Sequence, residues 1–106
     1  MERTYNKLIR DRIPEIIHQQ GESCDVVILN NEEYRQALRA KVMEEAQEVA
    51  TAEGEDLAGE IADLYEVLDA LLESHALSAT SIKEIQSKKR AERGGFTQRL
   101  FLQKTY

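Results

Sequence analysis

The chain has 106 residues and a net charge of −6, enough for one small domain but short of apolar material for a thick private core. Its single cysteine, Cys24, excludes an internal disulfide, and no long apolar run or signal-like segment follows Met1. These features predict a protein of a reducing, cytoplasmic compartment with no membrane association. The charge is unevenly divided: residues 1–20 sum to +1, residues 21–82 to −12 and residues 83–106 to +5. The basic stretch is too short and too poor in aromatics for an extended nucleic-acid surface. An acidic middle beside a basic tail suits a metal nucleotide, or else a solvated acidic helix pair next to a basic tail.

One proline, five glycines and an abundance of Ala, Leu, Glu, Lys and Arg favour helix over sheet. Asn6 to Gln20 reads as a basic entry followed by a helix that starts near Asp11 or Arg12, with Pro14 early in its first turn and Gly21 closing it. Val26, Val27 and Ile28 make Asp25 to Leu29 the best strand candidate. Asn30 or Asn31 offers an N-cap for a second helix reaching about Glu53, with Glu32 and Glu33 in its first turn. Gly54 breaks the pattern. A third helix runs from about Glu55 to Ser74 with Leu57, Ile61, Leu64, Leu68 and Leu71 on one stripe. A fourth starts near Ser78 or Thr80 and ends at Gly94. The fold predicted is all-α: one domain over residues 1–106, an antiparallel bundle of about four helices, with a small two-stranded ribbon pairing Val26–Leu29 with Leu100–Leu102.

Two acidic motifs, Glu45-x-x-Glu48 and Glu60-x-x-Asp63, are placed symmetrically about Gly54. If the two helices fold back there, the four carboxylates meet in two layers about 4.5 Å apart, three residues of helical rise. Acidic pairs at this spacing recur elsewhere, as in Glu53/Asp56 and Glu66/Asp69, so position on the helix must discriminate. At about 100° per residue, Glu45 falls between Tyr34 and Leu38, and Glu60 between Val67 and Leu71. Glu48 lies beside Ala37, and Asp63 borders the apolar arc. Charges in such a stripe are costly unless paired or bound to metal. One reading is therefore salt bridging, for instance between Lys41 and Glu45 one turn later. The other is that Glu45, Glu48, Glu60 and Asp63 enclose one or more Mg²⁺ ions, which acidify a water and neutralise phosphate charge. Glu44 points roughly 100° away from Glu45 and is not counted as a ligand. Lys89 and Arg93, at i,i+4 before Gly94-Gly95, could face phosphate oxygens or simply stabilise a helix C-terminus.

These residues resemble the all-α nucleoside triphosphate pyrophosphohydrolases, the superfamily of the MazG-like proteins, the dimeric dUTPases and phosphoribosyl-ATP pyrophosphohydrolase. The matching core is Lys41-Val-Met-Glu44-Glu45-Ala-Gln-Glu48 followed by Glu60-Ile-Ala-Asp63, with Tyr5-Asn6-Lys7-Leu8-Ile9-Arg10-Asp11-Arg12-Ile13-Pro14 and Arg93-Gly94-Gly95-Phe96 outside it. The combination is similar to a branch labelled phosphoribosyl-ATP pyrophosphohydrolase-like. The resemblance implies hydrolysis of a nucleoside triphosphate between the α and β phosphates with Mg²⁺, or Mn²⁺ in its place. It implies Glu45, Glu48, Glu60 and Asp63 as metal ligands acting through a metal-bound water. Lys89 and Arg93 would hold phosphate, with Asn6, Lys7, Arg10 and Lys41 as further substrate contacts, in a homodimer or homotetramer. Whether the substrate is a non-standard nucleotide or phosphoribosyl-ATP stays open.

Two other classes compete with this enzyme. A non-catalytic helical interaction module would use the same carboxylates only for solubility and salt bridges. A di-iron carboxylate bundle could draw on Glu15-x-x-His18, but no second such motif exists.

Overall fold

Four helices carry the chain in the computed structural model, which describes residues Glu2 to Tyr106: α1 (Ile13–Gln19), α2 (Asn31–Thr51), α3 (Asp56–Ser74) and α4 (Ala79–Arg93). Each helix starts where local chemistry permits. Pro14 sits in the first turn of α1, where a missing N–H is harmless. Asn30 caps α2 reciprocally: its side-chain oxygen accepts from the Glu33 N–H at 2.9 Å, and its own N–H donates to the Glu33 carboxylate at 3.1 Å. Ser78 caps α4 by accepting from the Ser81 N–H at 3.0 Å. The expected ends shift slightly. Helix α2 stops at Thr51 rather than Glu53, and α3 begins at Asp56 rather than Glu55.

Helices α2 and α3 pack against each other, and the chain reverses at Gly54, whose φ is +57°. Nothing stands within 4 Å of where a Cβ would be, so the left-handed backbone, and not space, is what calls for glycine. At the open end of the hairpin the Arg35 Nε donates to the Ser74 carbonyl at 2.9 Å. That bond joins the start of α2 to the end of α3, as an antiparallel pair requires. Between the two ends lies Leu38, only 2% exposed. Tyr34, Ala37, Val42 and Val49 of α2 and Ile61, Leu64, Val67 and Leu71 of α3 are half-buried. Leu57 and Leu68, expected on the same stripe, are exposed at 40% and 39%. The core is thin, as the composition implied.

The chain divides into two compact units, one up to Ala76 and the other from Leu77 to Tyr106. The first contains α1 and the α2–α3 hairpin, and the second contains α4 and the C-terminal segment. No described helix is long and apolar enough to cross a membrane. The ribbon expected between Val26–Leu29 and Leu100–Leu102 does not form, and the described residues contain no strand. Val27, Ile28, Leu100 and Phe101 are 83%, 100%, 86% and 88% exposed. β-favouring side chains stabilise a strand only where a neighbouring strand and a packed face receive them, and neither segment has them here.

Helix α3 ends less favourably than α2 turns. Ala76 takes a left-handed φ of +54° and donates its N–H to the Glu73 carbonyl at 3.1 Å, at the position where glycine is usual. Relieving the Cβ clash should outweigh glycine's extra freedom in the unfolded chain. Ala76→Gly is therefore expected to raise stability by about 0.5–1 kcal/mol, a few degrees in Tm, whereas Gly54→Ala lowers it by about 1 kcal/mol. Thermal denaturation followed by circular dichroism checks both signs.

Candidate functional site

Glu45 projects from α2, and Glu60 and Asp63 from α3. Each offers one carboxylate oxygen within 4.8 Å of the other two, and all three side chains are half-buried. The hairpin explains the meeting: Glu45 and Asp63 stand equally far in sequence from the reversal at Gly54, so antiparallel packing returns them to the same height. Glu48 lies outside this trio. Its side chain is exposed and lines an acidic depression at the turn end of the hairpin with Thr51, Ala52, Glu53, Asp56 and Glu60. Glu60 thus belongs to both the trio and the depression. Glu53 and Asp56 were not among the residues the sequence reading assigned to a site. A signal for Asp56 was present, since it precedes Glu60 by four residues on the same helical face.

Cations from two directions meet these acids. The Arg10 Nη2 donates to Asp63 Oδ1 at 2.7 Å. On α2 the Lys41 Nζ donates to Glu44 Oε2 at 3.2 Å and lies 3.6 Å from Glu45 Oε1. The salt bridge foreseen for Lys41 and Glu45 is therefore present. Lys7 Nζ stands 3.6 Å from Glu44 Oε1, so Glu44 serves as a partner for two lysines and not as a member of the trio. Glu60 alone of the three has no ion-pair partner among the described residues. Desolvation first, and then the like charges of Glu48, Asp63, Glu45 and Asp56, push its carboxyl above the ordinary glutamate range.

The remaining expected residues are placed as follows. Asn6 is exposed with a left-handed φ of +48°, a conformation asparagine tolerates better than most residues. Lys89 and Arg93 lie exposed on α4, in the second unit. Glu15 pairs with Arg12 at 3.0 Å and His18 is exposed. Among the described residues no cluster of metal-ligating side chains includes either of them, which leaves the di-iron reading without a site. Cys24 is half-buried and free.

No protein-family model matches the chain, and no solved structure matches it significantly. A stretch of 52 residues is 43% identical to a protein of Mycolicibacterium smegmatis described as uncharacterized. The match covers 49% of this chain and 53% of that protein, so the chain spans about half the length of this relative.

The raised carboxyl makes a pH-dependent statement about the folded chain. Because the folded state favours protonated Glu60, this group contributes stability that is present below the ordinary glutamate pKa and is lost as pH rises through its raised value. Without divalent ions, Glu60→Gln should therefore have a higher Tm than the unaltered protein at pH 7. The difference should close at a pH below the ordinary glutamate value. A Tm gain that stays constant across this range would remove the electrostatic explanation.

Proposed function

We propose that this protein is a divalent-cation-dependent nucleoside triphosphate pyrophosphohydrolase, cleaving the α–β phosphate bond to give a nucleoside monophosphate and pyrophosphate. The observation that carries the reading is the convergence of Glu45, Glu60 and Asp63 oxygens within 4.8 Å across two antiparallel helices. The residues present fit a hard cation. Oxygen ligands at about 2.1 Å from Mg²⁺ stand about 3–4 Å from one another, a contraction that half-buried side chains reach by rotation. In the proposal Glu45, Glu60 and Asp63 hold Mg²⁺ or Mn²⁺, and Glu48, close enough to Glu60 to raise its pKa, completes the acidic set. When bound, such an ion lowers the pKa of a water and offsets phosphate charge.

The chain's own residues then have positioning tasks. Lys7, Arg10 and Lys41, which meet the acids in the first unit, are suited to phosphate oxygens because each is a donor without an acceptor. Asn6 adds an amide beside them in sequence. For Lys89 and Arg93, which belong to the second unit, a phosphate-holding role rests on the resemblance stated above alone. A polyphosphate needs more cationic donors than one ion supplies. Removal of non-standard nucleotides and hydrolysis of phosphoribosyl-ATP both fall within this chemistry.

Assembly as a homodimer or homotetramer is part of the proposal. Support comes from Met43 and Tyr65, exposed at 74% and 65% on the hairpin that carries the acids, against a single buried side chain, Leu38, among the described residues. The reading of the acids as a purely electrostatic brace in an interaction module has its own observation, namely the pairs Lys41–Glu45 and Arg10–Asp63.

Two measurements separate the enzyme from the brace. Calorimetric titration with Mn²⁺ or Mg²⁺ should show saturable binding that Glu45→Gln and Glu60→Gln each weaken by about tenfold or more. Pyrophosphate release across ordinary, deoxy and modified triphosphates and phosphoribosyl-ATP should then fall by about a hundredfold or more in Glu60→Gln. No ion binding, together with no pyrophosphate from any substrate, would favour the interaction module.

A further inference from the structure

Arg10 lies on the segment that precedes α1, yet its guanidinium reaches Asp63 Oδ1 at 2.7 Å, a contact spanning 53 residues of sequence. Asp63 is also one of the three acids whose oxygens converge. We infer that Arg10 is a built-in competitor for the cation. It competes with the ion for a ligand oxygen of Asp63 and thereby sets the ion concentration at which the site fills. This rests on the reading of Glu45, Glu60 and Asp63 as a cation site.

A guanidinium and a divalent ion both seek the same carboxylate lone pairs, so one oxygen cannot serve both fully. Were the ion to use Oδ2 instead, it would still sit within the Debye length of about 8 Å from the guanidinium, and like charges at that range repel. The pair is also weak enough to be displaced, because both side chains are substantially exposed, Arg10 at 58% and Asp63 at 45%. Lys41 is a different case. It is only 16% exposed and shared between Glu44 and Glu45, and it belongs to the same helix as its partners. Lys7 supplies an internal control, being three residues from Arg10 on the same segment but paired with Glu44, which is outside the trio.

Mn²⁺ affinity measured by calorimetry, with no substrate present, tests the inference. Arg10→Gln is expected to bind Mn²⁺ about three- to tenfold more tightly than the unaltered protein, while Lys7→Gln, which frees no oxygen of the trio, gains clearly less. In an Asp63→Asn background the effect of Arg10→Gln should disappear, since the competed oxygen has lost its charge. Helical content by circular dichroism accompanies each titration, and Arg10→Met replaces Arg10→Gln if the latter loses it. Binding in the unaltered protein with no gain in the Arg10 variants overturns competition and leaves the cation site standing. Equal gains in Lys7→Gln and Arg10→Gln also overturn it, because a general charge effect would then suffice. Absence of binding in every variant overturns the cation site and the competition together.

Discussion

Like-charge repulsion across the α2–α3 hairpin is the constraint that the first unit is built around. One carboxylate oxygen from each of Glu45, Glu60 and Asp63 lies within 4.8 Å of the other two, and desolvation first, then these neighbouring like charges, disfavour the charged form of Glu60. Something must keep the helices together against it. Leu38 supplies the one fully buried side chain among the described residues, worth about 1.5–3 kcal/mol. The Arg35–Ser74 bond closes the end of the hairpin opposite the turn, and the Asn30–Glu33 capping box fixes where α2 enters. These supports work at the open end and the middle, whereas the acids gather toward the turn. The left-handed Gly54 is what allows the chain to reverse there without spreading the helices apart.

A thin core and a crowded set of acids have a common origin in the sequence. Residues that would deepen a monomer core, such as Leu57 and Leu68, remain exposed on the outer side of the stripe, and Met43 and Tyr65 are more exposed still. Half-buried positions on the turn side of Leu38 are shared between apolar residues such as Val49 and Ile61 and the carboxylates of Glu45, Glu60 and Asp63. A small domain that places carboxylates where leucines would stabilise it best has traded stability for a site or for a brace.

What could be read from the sequence depended on how local the determining physics was. Helix ends were legible because capping acts within three residues: Asn30 with Glu33 and Ser78 with Ser81 are both visible in the order of residues. The convergence of Glu45 with Asp63 was legible because one glycine and helical periodicity fix it. Glu48 was harder to place, since a few tens of degrees of rotation separate the packed edge of α2 from solvent, and the helix leaves it exposed. The Arg10–Asp63 bond was not legible. It joins groups 53 residues apart, and no spacing rule reaches across an intervening helix. The ribbon failed for a related reason: Val26–Leu29 has the right side chains, but a strand is made by its neighbour, which residue preference alone cannot supply.

The charge balance within this cluster bears on which reading of it is physically complete. Six carboxylates, Glu44, Glu45, Glu48, Asp56, Glu60 and Asp63, belong to the trio, act on Glu60 or touch the same cations. Only three cations, Lys7, Arg10 and Lys41, pair with any of them. Three negative charges are left over, and Glu60, the unpaired member of the trio, lies in both the trio and the depression at the turn. Salt bridges alone leave that remainder to water, which reaches the exposed Glu48 and Asp56. The pairs Lys41–Glu45 and Arg10–Asp63 therefore neutralise the acidic cluster only in part, and the rest of its charge is what a binding partner of either kind would meet.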